Sequence, residues 1–543
     1  SGENQNNVPN TRDNTNKWFT WQWENFINYD GQFGKHGIQA MLGMSAIEYQ
    51  NKWINTLSGP MFKEQDNFAQ HGNVDVDGTV SGNLRIDRTT SYFARASYDY
   101  DGRYLFQAIF RRDGTSLLGT ENRWGNFPSF SAGWIVSHEN FWNVDFIDFF
   151  KVRASWGQNG NTKSLGPDQF RALITTAGIK YPKPGGGFYT GAEPELLANP
   201  ELVWETSTQT DIGFDMHMWN SRLVFGFDWF YKVTEDLLTP GTPPPSVGNY
   251  APFVNAGDIT NRGIEFELGL RKYEGAFNYD MNFNLTYMNN EVTYLNPLLE
   301  RQAGASVGTG WTATFMEFGY PVWYFRGYQT DGIFQSDEEI AAYKAQYGGL
   351  PGYNPVPGDP KVVNTNGDNL INDDDQTYIG DPHPNFLWGV TFNFDFAGFD
   401  LRLFVNGVHG QDVLMGFNRY DRSTSNRPQF FFDDRWTPEN GTNDWFRADP
   451  SNPFAYNSDF MIFKGDYIRI RQIQLGYTLP RKVLDKMKFE NLRVYVSFDD
   501  YFTFTNYPGM DPAAGTGRGN SPGVDRGLYP TPRRLIFGLS LGF

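Results

Sequence analysis

Residues 277–287 read "FNYDMNFNLTY" and alternate without a break. Phe277, Tyr279, Met281, Phe283, Leu285 and Tyr287 fall on one face, and Asn278, Asp280, Asn282, Asn284 and Thr286 on the other. A period of two is the signature of a β-strand. Its length is unusual, since soluble sheets average roughly 5–6 residues per strand whereas a tilted strand needs roughly 9–11 to cross a bilayer. The same comb recurs in "FLWGVTFNFDF" (386–396), "GIEFELGLR" (263–271) and "RLVFGFDWFYKV" (222–233). The closing "RRLIFGLSLGF" (533–543) sets Leu535, Phe537, Leu539, Leu541 and Phe543 against small or polar neighbours such as Gly538, Ser540 and Gly542.

Two solvents suit such a comb. In a soluble protein each aromatic face would require a stacked sheet to bury it; in an outer-membrane barrel it meets lipid while the polar face meets a wet lumen. Composition leans the same way. The 543 residues include 58 Gly, 48 Phe, 29 Tyr, 16 Trp and no Cys, with 20% charged, a mix that favours strands and turns. A net charge of −17 without clustered Lys or Arg argues against nucleic acid as partner. Without Cys there are neither thiolate metal sites nor disulfides. No run of about 18 apolar residues offers a transmembrane helix, and Ser1 opens no signal peptide. A membrane or secreted protein would then have lost its beginning. Trp21, Trp23, Trp156 and Trp229 suit the interfacial girdles at strand ends.

Alternation predicts about fifteen strands, near 16–29, 35–50, 88–100, 103–113, 128–137, 149–157, 203–218, 221–234, 260–272, 276–290, 386–396, 400–409, 462–479, 491–501 and 533–543. Tight links ("YDGQFG", "DYDGRY", "WNSR", "KYEGA", "AGF") contrast with long ones near 51–87, 158–202, 235–259, 291–385, 410–461 and 502–532. Short turns at one rim and long loops at the other mark an outer-membrane barrel, with turns in the periplasm and loops outside. Phe543 then lies at the periplasmic rim and Ser1 outside. An odd strand count beginning outside implies an odd number of strands upstream, so the expectation is the C-terminal portion of an all-β transmembrane antiparallel barrel. One strand breaks phase: Ile468 and Ile470 disagree with Ile473, Leu475, Tyr477 and Leu479. Either a bulge sits near Arg471, or that half rises above the membrane.

Several segments together carry a family likeness: "FFKVRASWGQNGN", "NPELVWETSTQTDIGFDM" with "RLVFGFDWFYKVTEDLL", "YLFQAIFRRDGTSLLG" with "RWGNFPSFSAGW", "TNRGIEFEL", "GDPKVVNTNGDNLINDDDQTYIGDPHPNFLWG" and "YPTPRRLIFGLSLGF". Over nearly its whole length the chain resembles the SusC/RagA-like TonB-dependent outer-membrane transporters. The resemblance implies a barrel of twenty-two strands, a plug domain inside it, a TonB box ahead of the plug, and a SusD-like lipoprotein lid over the outer mouth. The fifteen strands would leave seven upstream, and plug and TonB box have no counterpart in these residues.

Candidate sites follow from pattern. In "NTNGDNLINDDD", Asn364, Asn366, Asp368, Asn372 and Asp375, with the Leu370 carbonyl, fall at the spacing of an EF-hand-type Ca²⁺ loop, since hard cations gather oxygens from a tight turn. Asn364 stands where that loop has an acid, Asn369 where it has glycine, and Asp375 where it has a longer Glu. The competing reading is an Asx-rich turn. No cofactor is otherwise required. In the 291–385 segment "SDEEIAAYKAQYG" predicts a short helix with Ser336 and Glu339 as capping box. That segment would contact the lid or pack on itself over the mouth. Polar residues expected to face the lumen are Asp211, Asp215, His217, Glu265, Glu267, Asp280, Asn282 and Asn284; a wet wall needs such groups whether or not they touch substrate. Tyr181, Phe188, Tyr189, Trp311, Trp445 and Phe446 are external aromatics that could stack on sugars or fill a partner interface, with girdle or loop packing as the alternative.

The six histidines show no metalloprotease spacing, no Ser sits in a G-x-S-x-G elbow, and "GTGRGN" (515–520) lacks a strand-to-helix context. An enzyme is not expected. The expected function is a nutrient importer taking up oligosaccharides or peptides by TonB coupling; the alternative is a soluble or surface-attached all-β carbohydrate-binding protein.

Overall fold

Fifteen strands form one antiparallel sheet in which each pairs with its neighbours in chain order. They are β1 (Arg12–Phe33), β2 (His36–Leu57), β3 (Thr79–Tyr100), β4 (Tyr104–Thr115), β5 (Trp124–Ile135), β6 (Ile147–Asn161), β7 (Glu205–Met218), β8 (Leu223–Glu235), β9 (Gly257–Lys272), β10 (Phe277–Leu295), β11 (Phe386–Phe396), β12 (Phe399–His409), β13 (Tyr467–Thr478), β14 (Asn491–Thr505) and β15 (Arg534–Gly542). The computed structural model describes residues 11–58, 79–175, 180–241, 252–297, 299, 301–307, 311–421, 426–448, 452–513 and 519–543. Part of the expected 51–87 loop and most of "GTGRGN" therefore lie outside the described residues.

Strand number agrees with the alternation, and most differences lie at strand ends. β1 and β2 run on to a register of Phe33 opposite His36, leaving only Gly34, in the left-handed region at φ 60°, and Lys35 to turn the chain. Trp21 and Trp23 accordingly fall within a 22-residue strand rather than near its end. Hydrogen-bonded ladders outlast the apolar comb, because pairing needs only backbone while the comb needs an apolar neighbour. The thirteenth strand is also shorter than expected. Ile462–Lys464 leaves the main sheet to pair with Asp412–Leu414 in a small loop sheet. The phase break is a bulge: pairing with β14 steps from Ile470 to Gln472 and leaves Arg471 out of register, which shifts the side-chain alternation by one residue.

The chain divides into two compact units, residues 1–132 with 156–208 and 236–256, and residues 133–155 with 209–235 and 257–543. In the first, a small apolar cluster of Leu117, Leu118, Leu165, Leu202 and Leu238 is built from connections. Asn255 ties it by giving and taking hydrogen bonds with the Val203 backbone, at 3.3 and 3.1 Å. A hairpin pairs Lys180–Pro182 with Phe188–Thr190.

In the second unit the core again lies in connections. Val307, Trp311, Phe325, Ile333, Leu414, Phe431, Trp445, Phe446, Tyr456, Met461 and Val524 form one buried cluster, drawn from the links after β10, β12 and β14. Among the largest fully buried side chains, Val292 alone belongs to a main-sheet strand. On β15 the apolar comb is left uncovered: Leu535, Phe537, Leu539, Leu541 and Phe543 are 48, 77, 67, 37 and 82% exposed. An uncovered apolar face of this extent needs a nonaqueous neighbour.

Candidate functional site

On the second unit's sheet, opposite the aromatic comb, β6–β8 bring four charges together. Arg153 donates through Nε to Asp215 at 3.2 Å and through Nη2 to Asp228 at 2.7 Å, and its Nη1 reaches Asp211 at 3.5 Å. Gly213 stands between the two β7 aspartates, and a Cβ there would run into the Asp228 carboxylate and the Phe227 carbonyl. The glycine is what lets β7 and β8 bring their carboxylates to one guanidinium. Glu265 lies opposite Asp228 in register, so this stretch of wall carries more negative charge than the one arginine neutralises.

Beside it, Glu267, Asp280, Asn282 and Asn284 line a hollow of about 280 Å³ together with Val224, Gly269 and Arg271. The register places Glu267 opposite Asn284, Gly269 opposite Asn282 and Arg271 opposite Asp280. Gly269 supplies the space, because a Cβ on it would meet Asn282 Oδ1 at 3.3 Å and Val224 Cβ at 3.5 Å. Asp280 accepts from Tyr273 at 2.6 Å. His217 sits apart from this hollow, its ring 5.1 Å from that of Phe149 and its Nδ1 3.4 Å from Ser221 Oγ. The structure thus gathers Asp211, Asp215 and Glu265 into one group and Glu267, Asp280, Asn282 and Asn284 into another.

The expected aromatics divide. Tyr181, Phe188 and Tyr189 are 56, 67 and 53% exposed on the short hairpin. Trp311, Trp445 and Phe446 are buried at 7, 4 and 0%, so they cannot stack on a ligand; they hold the loop core. Trp445 packs 4.9 Å from Phe431 and 5.1 Å from Phe446, centroid to centroid. Long loops of this size must bury apolar area of their own, and large aromatics do so at small entropic cost.

Polar groups fasten this loop assembly. Buried Asp359 accepts from Arg447 Nε at 2.8 Å and from Asn452 at 3.2 Å. Arg469 on β13 donates to Asp511, both almost fully buried, and Asp511 also accepts from the Thr531 hydroxyl at 2.8 Å and the Ala513 N–H at 2.9 Å. Burial alone would push the Asp511 carboxyl up, but these donors outweigh it and hold it below the usual range. Asp381 goes the other way: burial, with the Asp412 charge adding to it, pushes it up. The helix predicted after Ser336 spans Asp337–Tyr347, with Ser336 Oγ accepting from the Glu339 N–H. The return bond of the box lands one residue early, from the Gln335 N–H to Glu339 at 2.9 Å.

In the 364–375 loop the side-chain oxygens take hydrogen bonds from the loop's own backbone. Asn366 accepts from Asp368 N–H at 2.9 Å, Asp368 from Leu370 N–H at 2.8 Å, and Asn372 from Asp374 N–H at 2.7 Å; Asn364 accepts from Gly367 N–H. Asp375, fully buried, accepts from Thr365 and Asn372 N–H groups at 2.9 and 2.8 Å. This is the bonding of consecutive Asx turns.

Sequence reading missed Arg153 and Asp228, although both sit on strands it had placed, near 149–157 and 221–234. It gave no sign that an arginine on β6 meets carboxylates on both β7 and β8, which is a matter of sheet order.

A family model described as TonB dependent receptor-like, beta-barrel matches residues 1–353. The chain is 30% identical to a TonB-dependent receptor of Formosa agariphila, over 98% of this chain and 54% of that protein. It is 28% identical to TonB-dependent receptor SusC of Bacteroides thetaiotaomicron, over 83% of this chain and 43% of that one. Among solved structures it is similar to the RagAB peptide transporter, with a TM-score of 0.80 at 21% identity, covering 98% of this chain and 56% of the other. At that identity the likeness is one of fold. The chain spans about half the length of the curated relatives it matches.

Proposed function

Because the chain belongs to the TonB-dependent receptor-like β-barrel family, a family of transport proteins rather than enzymes, we propose that it supplies wall and outer loops to an outer-membrane importer of SusC/RagA type. Its comb faces lipid, its polar face lines the path of an oligosaccharide or peptide, and the long loops lie outside with the C-terminus periplasmic. In this reading a SusD-like lipoprotein covers the loops, TonB acts through a region beyond these residues that carries a plug, and no cofactor takes part.

The observation that carries the proposal is the exposure of the comb on β15 beside a sheet whose large buried side chains come almost wholly from connections. A soluble carbohydrate-binding sandwich would bury those combs. The test is a semi-native gel of the protein with and without detergent. An importer wall requires detergent or lipid to stay dispersed and changes mobility on heating. Monomeric solubility in plain buffer, with one mobility heated or not, would refute it. Affinity purification from outer membranes is expected to bring down a lipoprotein, and a preparation free of any lipoprotein would remove the lid from the reading.

A further inference from the structure

Within the loop after β10, four short strands pair in the order Gln302–Ala303, Thr314–Met316, Tyr324–Tyr328 and Gln376–Gly380. One face of this small sheet packs Phe325 into the buried core. The other face carries Arg326, with Tyr378 opposite it in register. Arg326 is only 9% exposed, yet no carboxylate pairs with it among the described residues. Its side chain has one hydrogen bond, 3.3 Å to Gln376 Oε1, and lies 5.5 Å over the Phe315 ring. A buried guanidinium left with most of its five donors unused is costly. The two nearby acids are already engaged: Glu317 accepts from Tyr324 and Asp373 from Tyr328, both at 2.7 Å. Burial, reinforced by the like charge of Arg301, disfavours the charged form of Arg326.

Aromatic rings flank this cation. Tyr320, Tyr324 and Tyr378 stack on one another with centroids 4.7, 5.9 and 5.7 Å apart. Tyr324 is buried, whereas Tyr378 is 40% exposed and presents a ring beside the guanidinium. We propose that Arg326, Gln376 and Tyr378 form a binding site for a saccharide bearing a carboxylate or sulfate. The sugar's C–H face lies on Tyr378 and the anionic group takes the Arg326 fork bidentately, while Gln376, whose Oε1 accepts from Arg326 and whose Nε2 donates to Asp373, both at 3.3 Å, holds the fork in place. A flat ring next to a fork of N–H donors matches a ring-shaped ligand with an attached planar or tetrahedral anion. The proposal rests on the importer reading and narrows its cargo to acidic saccharides.

The test is calorimetric titration of the detergent-solubilised protein with digalacturonate and with neutral galactobiose. Digalacturonate is expected to bind roughly tenfold or more tighter, as befits a charge-assisted bidentate contact, with the gap narrowing as salt rises. Arg326→Gln should erase the gap, Arg326→Lys should retain part of it, and Tyr378→Ala should weaken both sugars, with circular dichroism showing each variant folded. Equal affinities, a gap that survives Arg326→Gln, or no binding of either sugar overturns the site. Preference for triglycine over digalacturonate overturns the saccharide and leaves a peptide carboxylate in its place. Galactobiose bound without discrimination removes this site while leaving the importer reading intact.

Discussion

At the scale of single residues, the chain's charges behave differently according to what surrounds them. Arg153 holds three aspartates on a wet polar face, its side chain 32% exposed. Removing it leaves those carboxylates to repel one another, but water screens part of the cost. Arg153→Ala is expected to lower stability by about 1–3 kcal/mol, less than the roughly 3–5 of a sealed pair broken on one side. Replacing Asp228 by Asn in that background should restore part of the loss by removing a like charge. Thermal unfolding in detergent measures both, and no change in Arg153→Ala would show the cluster to be energetically idle.

At the scale of elements, the link after β14 is a folded object pinned at two points. Asp511 and Thr531 meet Arg469 on β13, and Tyr507 donates to buried Asp525 at 2.7 Å. Asp511→Ala would leave a buried cation unpaired, a loss of about 3–5 kcal/mol borne mostly by this loop. Rapid proteolytic cutting within 506–533 is the expected readout, with the strands surviving; uncut loops would contradict it. Asp381 predicts the opposite sign. Its carboxyl is raised by burial and by Asp412, so its favourable contribution is complete below the unfolded value of about 3.9 and is lost as pH rises through the higher folded value. Asp381→Asn keeps the acceptor for the His383 N–H, which now bonds at 2.9 Å. The variant should therefore melt higher than the parent at pH 7, and the difference should close toward pH 4. A difference independent of pH would assign the effect to something other than this ionisation.

At the scale of the whole molecule, tryptophans report which solvent each part meets. Trp21, Trp23 and Trp229 are 42, 51 and 40% exposed on strands, while Trp311 and Trp445 are buried in loop core. In proteoliposomes of brominated lipid, variants retaining only the strand tryptophans should be strongly quenched, and those retaining only Trp311 and Trp445 should not. Equal quenching would place the loops in the bilayer or the strands outside it. The same division explains how an average so poor in apolar residues suits a membrane, since each strand needs only half its positions for lipid.

Strand number, strand phase and the phase break near Arg471 were legible in the sequence because side-chain alternation is local and a sheet face imposes it residue by residue, whereas the pairing register decided that the break is a bulge. The polar phase of Asp211, Glu265 or Asn282 came with it. Strand ends were less legible, since backbone ladders continue after the comb stops. What only the tertiary structure decided is which residues meet across sheet order and across loops. Arg153 finds carboxylates on both β7 and β8, Trp445 and Phe446 turn inward, and Arg326 is buried with no ion-pair partner among the described residues. Those outcomes depend on contacts between segments far apart in the chain, where no period in the sequence links the partners.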